Sequence, residues 1–197
     1  MQSGRIGGLL VSGGTALLVV GYILMILSLT VGRLIGDLVT GAAILIIAAG
    51  AAVLCVTGPK PFQGRGIRIG LGAIAIGLAG LQASSIVAMT LTYDPLENGP
   101  FIILGLGGIF VSAIGFLTAI TALLRAGDRS RTVGLLLLAG PVLLFIAGTI
   151  APHATELPLQ IVTGGVAVLG ALGFVLGGTG LGMLAIRGAL VQPVIPS

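Results

Sequence analysis

Few side chains in this sequence are suited to chemistry, and their spacing narrows what that chemistry could be. Gln82 lies in "LAGLQASSIVAM", with Ser85 and Met89 on roughly one helical face and Gly77, Gly80 and Ser84 on another. An amide in an apolar run must find a partner, so Gln82 is expected to face protein. It would serve there as interhelical glue or line a path for a small polar solute. Pro141, in "LLAGPVLLF", removes one backbone hydrogen bond and frees the Leu137 carbonyl, so a kink is expected. Gln82, Ser85 and Pro141 together form the candidate polar path.

Asp37 and Arg33 stand four residues apart in "VGRLIGD", a spacing that suits an ion pair on one helix. A carboxylate is favoured near a helix N-terminus, so Asp37 reads first as an end cap and second as an ion site. His153 and Glu156 share the turn "PHATELP". Histidine titrates at about pH 6.5, which makes this pair a candidate for response to acid. A solvated loop is the plainer reading of the same residues.

Catalysis finds little support. Ser84 and Ser85 fall within an apolar run, whereas the single histidine lies in a loop, so no nucleophile has its base. The string "LVSGG" lacks the leading glycine of a Gly-x-Ser-Gly site. One cysteine, Cys55, allows neither an internal disulfide nor a metal cluster; it reads as a small packing residue. No catalytic residue, cofactor or metal is expected, and the chain is read as non-enzymatic.

The elements that carry these residues follow from composition. Of 197 residues, 7% are charged and 56% hydrophobic, and the mean hydropathy is +1.25. So few charges cannot cover a soluble core. Apolar runs of about 20 residues, enough to cross a bilayer, recur along the chain. The first follows "MQSGR" and continues past the length of an ordinary signal core, so it reads as a retained helix. The pI near 10.2 does not point to nucleic acid, because the nine basic residues form no basic face and no aromatic platform lies among them. The expected partner is the lipid bilayer.

The predicted spans are about 6–28, 36–57, 69–92, 101–124, 132–151 and 159–184, separated by breaks rich in Gly, Pro or charge. With the N-terminus in the cytoplasm, Arg5, Lys60, Arg65, Arg68, Arg125, Arg129, Arg131 and Arg187 all lie inside. Arg33 is the one basic residue outside, with Asp37, Asp94, Glu97 and Glu156, while Asp128 is the one inward acid. This positive-inside bias predicts an all-α integral membrane protein of six transmembrane helices with both termini cytoplasmic. Residues 1–197 read as a single polytopic domain of three hairpins, about 5–57, 68–124 and 131–186, in a prokaryotic cytoplasmic membrane.

The hairpins look related. "RIGGLLVSGG" at 5–14 returns as "RIGLGAIAIG" at 68–77 and "RTVGLLLLAG" at 131–140, aligning Gly14, Gly77 and Gly140 at steps of 63 residues. "VTGAAILIIAAG" at 39–50 matches "VTGGVAVLGALG" at 162–173, with "LGLGGIFVSAIG" at 104–115 a looser copy. A fixed period marks repeat architecture. Small residues such as Gly14, Gly77, Gly140, Gly173 and Gly177 are expected to let helices approach closely. Most such contacts should be intramolecular, with a homo-oligomer face through Gly173/Gly177 as the alternative.

Three hairpins with a glycine-rich second helix of the "VTGAAILIIAAGAAVL" kind resemble the HdeD-like membrane proteins associated with acid resistance. The likeness spans most of the chain and lies in pattern. Pro95 and Pro152 fit the outer-turn proline of that family, whereas "LTVGRLIGD" has none. The resemblance implies a stress-related membrane role and transfers no catalytic residue. The runner-up expectations are a passive pore or transporter for a small neutral solute, and an accessory subunit of a larger membrane complex.

Overall fold

The computed structural model describes residues 2–27, 31–59, 62–90, 99–126, 128–150 and 157–191. Among them it is all-helical: α1 (Gln2–Leu27), α2 (Val31–Thr57), α3 (Arg65–Thr90), α4 (Gly99–Arg125), α5 (Asp128–Ile150) and α6 (Leu157–Val191). Stretches long and apolar enough to cross a membrane lie in five of these, at Ser3–Tyr22, Ile35–Thr57, Arg65–Ile86, Ile103–Leu124 and Leu157–Gly188. In α5 the apolar stretch found among the described residues is Ser130–Gly140. The 23 residues of the helix still reach about 35 Å at 1.5 Å per residue, enough to span the hydrocarbon.

The helices form a closed ring. Each packs chiefly on its neighbours in the chain, most extensively within the pairs α1–α2, α3–α4 and α5–α6, and α6 returns to pack on α1. Residues from all six helices meet on the ring axis. Val11, Ile74, Leu137, Ala51, Phe116 and Gly178 surround a small apolar void of about 30 Å³ there. The rings of Phe116 and Phe174 lie 6.4 Å apart and tilted beside it. Leu54, Leu71 and Leu123 are fully buried, as is Phe62, whose turn tucks between α2 and α3.

Glycine explains how closely the hairpins pack. A methyl built on Gly14 would lie 3.1 Å from the Ala43 carbonyl oxygen and 3.0 Å from the Ile47 nitrogen. One on Gly77 would lie 2.5 Å from the Gly108 carbonyl oxygen, and one on Gly140 would lie 2.5 Å from the Phe174 nitrogen. At all three places backbone meets backbone, which any side chain would prevent. Such contact supplies the dispersion that must hold helices together where lipid competes equally well for apolar surface.

Outside, the ring is apolar. Val56, Ile76, Ile103, Phe110 and Ile161 are each more than two-thirds exposed. So broad an apolar exterior would be a liability in water and is suited to lipid. Hydroxyls on the helices bond within them: Thr57 donates to the Val53 carbonyl at 2.8 Å, and Thr118 to that of Ile114 at 2.8 Å. This satisfies polar groups without water.

Candidate functional site

One recess breaks the apolar pattern. It lies between α1, α2 and α3, encloses about 190 Å³, and is lined by Tyr22, Asp37, Thr40, Gln82 and Ser85, with Gly41 and Ile44 as its floor. Helical spacing assembles it. Asp37, Thr40, Gly41 and Ile44 are three or four residues apart on α2, and Gln82 and Ser85 are three apart on α3, so each set shares a face.

Gln82 reaches the recess because Gly41 leaves room for it. A methyl on Gly41 would stand 2.6 Å from the Gln82 Nε2. Ser85 donates its hydroxyl proton to the Leu81 carbonyl at 3.0 Å, leaving its oxygen lone pairs as acceptors. Asp37, Thr40, Gln82 and Ser85 are half-buried, whereas Tyr22 is 52% exposed. The recess therefore lies toward one end of the bundle, with Tyr22 five residues before α1 ends at Leu27 and Asp37 six after α2 begins at Val31.

Of the residues singled out from sequence, Gln82 and Ser85 are brought together here, and Asp37 joins them. Pro141 belongs to α5, which packs chiefly on α4 and α6, and helix runs through its position. Its side chain lies outside the described residues, and so does the part of the expected path that would join it to Gln82. The Arg33 side chain, His153 and Glu156 also lie outside the described residues. Tyr22 and Thr40 escaped notice in the sequence. Tyr22 offered a signal, being one of two tyrosines in a chain without tryptophan and close to a helix end, where amphipathic rings concentrate.

The small residues occupy helix interfaces. Gly14 faces α2, Gly77 faces α4, and Gly140 faces α6. Gly173 and Gly177 both face α5, with a methyl on Gly177 falling 2.8 Å from the Leu137 nitrogen, so α5 already covers that face. Gly178 and Gly182, with Gly8, Ser12 and Thr15, form the contact that closes the ring between α6 and α1. Cys55 bridges α2 and α3, its thiol donating to the Arg68 carbonyl at 3.2 Å.

Among the described residues, no group of three or more His, Cys, Asp or Glu side chains is placed to hold a metal ion. No protein-family model, curated protein or solved structure matches the chain.

Proposed function

We propose that this chain is a non-enzymatic, six-span protein of a prokaryotic cytoplasmic membrane with a structural or stress-related role, and that acid is the stress. The observation that carries the membrane role is the broad apolar exterior of the described helices around a closed ring whose axis is packed. The acid-stress component rests on the HdeD-like pattern and on His153 and Glu156 in one turn. Both termini lie in the cytoplasm in this reading, supported by the bias of Arg and Lys to one side.

Three related hairpins build the ring in the same reading. Val11, Ile74 and Leu137, at steps of 63 residues, all meet at the axial void. Methyls on Gly50, Gly115 and Gly177 would in turn abut the backbone nitrogens of Val11, Ile74 and Leu137 at 2.9, 2.7 and 2.8 Å. These contacts favour Gly177 as the counterpart of Gly50, four residues beyond the Gly173 that the string match selects. Four residues are about one helical turn, so both registers present a small residue on the same face.

A passive path for a small neutral solute is the second reading, favoured by the polar recess at Gln82 and Ser85. The packed axis argues against a central pore. Solute flux into liposomes holding the purified chain tests it, and flux no faster than in empty liposomes removes it. Native purification with mass spectrometry separates a lone chain or homo-oligomer from an accessory subunit with fixed partners. For the leading reading, alkaline extraction should leave the chain in the membrane pellet and reporters at both ends should be cytoplasmic. A His153→Ala strain should survive acid less well than wild type; equal survival removes the role of that histidine.

A further inference from the structure

We propose that the recess between α1, α2 and α3 binds a small organic cation of the primary-ammonium type. Its polar lining is rich in oxygen. Asp37 carries the one carboxylate, Gln82 an amide, Tyr22 a phenol, and Ser85 a hydroxyl whose proton is committed to Leu81. Such a set accepts hydrogen bonds and carries negative charge, which matches a donor cation.

Size narrows the ligand further. The recess of about 190 Å³ equals the liquid volume of about six waters at about 30 Å³ each. That is small for a drug-sized ligand. It is also wide for a bare alkali ion, which needs ligands drawn tightly around it. A divalent ion is poorly matched by one carboxylate. An ammonium group with a short alkyl chain fits: the head against Asp37 and Ser85, the chain against Ile44 and the Gly41 floor.

The polar set is not a requirement of the scaffold. One step of 63 residues on either side of Gln82 stand Val19 and Phe145. Two residues before "VTGAAILIIAAG" stands Asp37; two before "LGLGGIFVSAIG" stands Ile102 and two before "VTGGVAVLGALG" stands Gln160, so the carboxylate is particular to the first hairpin. This comparison rests on the three-hairpin reading, but the need for a partner does not. A carboxylate and an amide in an apolar bundle gain from a partner, and a donor cation is one, beside the Arg33 that stands four residues before Asp37.

The test uses the full chain in lipid nanodiscs, titrated by calorimetry with ethylammonium. Propionamide serves as the neutral probe, and tetramethylammonium and potassium as cations without N–H donors. Saturable ethylammonium binding is expected, weakened at least about tenfold by Asp37→Asn and several-fold by Gln82→Leu. Gly41→Val, which narrows the recess and pushes the Gln82 amide aside, should weaken binding as well. Absence of saturation in the wild-type chain overturns the proposal. So does unchanged affinity in folded Asp37→Asn. Propionamide binding as tightly as ethylammonium would make this a neutral-solute site, and equal competition by tetramethylammonium or potassium would make it a general charge effect; either overturns the assignment. Failure here leaves the membrane reading standing, because extraction and topology are measured without any ligand.

Discussion

The side chain of Gln82 lies across Gly41, with its amide nitrogen 2.6 Å from where a methyl on that glycine would be. The contact is made by the far end of a flexible side chain, and this distinguishes it from Gly14, Gly77 and Gly140, which meet backbone. Gly41→Ala should therefore cost less than about 1 kcal/mol, since Gln82 can swing aside and alanine is the better helix former. Thermal unfolding in detergent measures it, and a loss as large as that at Gly77 would show that Gln82 is locked.

Gly77→Ala meets backbone instead. Its methyl would press on the Gly108 carbonyl oxygen at 2.5 Å, and neither helix can yield without separating. A loss of about 1–3 kcal/mol is expected, the usual range for overpacking. Gly107→Ala is the control, because nothing lies within 4 Å of its added methyl. Equal melting of the two variants would contradict the α3–α4 packing.

Ser12 is buried at the ring closure, and its hydroxyl is without a hydrogen-bond partner. Removing an unsatisfied hydroxyl relieves a desolvation cost. Ser12→Ala should hold or raise the melting temperature, whereas Ser12→Leu should lower it by intruding on Gly182. A clear loss in the alanine variant would mean that the hydroxyl has a partner in the membrane.

The α1–α6 contact can be trapped. A methyl on Gly8 would stand 3.1 Å from the Ala185 Cβ and 2.6 Å from the Gly182 carbonyl oxygen, so the helices must part slightly to reach the separation of about 3.8 Å usual across a disulfide. In a Cys55→Ala background, Gly8→Cys with Ala185→Cys should oxidise to an intrachain bridge and run as a faster monomer on a non-reducing gel. A dimer band would instead place α6 of one chain against α1 of another.

Much of the scaffold was legible in the sequence because it rests on short-range periodicity. Glycines at 7, 14 and 21 recur every second turn, and all three face α2. Charges mark the breaks between helices. The recess was not legible, because Tyr22, Asp37 and Gln82 come from three helices and meet only when α3 packs beside α2. Asp37 read alone is a helix-end carboxylate, and only its neighbours make it part of a site. The string match at 162–173 pairs Gly50 with Gly173, one turn from the Gly177 that meets Leu137, for a related reason. It aligns residue types, and a helix face repeats its small residues each turn, so Gly173 and Gly177 are equivalent to the eye but not in the contacts with Leu137.

The packing of α6 on α1 also bears on how the molecule is made. A ribosome delivers α1 before α6, so the face bearing Gly8, Ser12 and Thr15 waits for its neighbour while α2 to α5 are made. Until then the hairpin α1–α2 shows the bilayer an incompletely covered backbone. α6 therefore acts as a clasp on α1, and a product stalled before it would carry an open seam for membrane proteases to find.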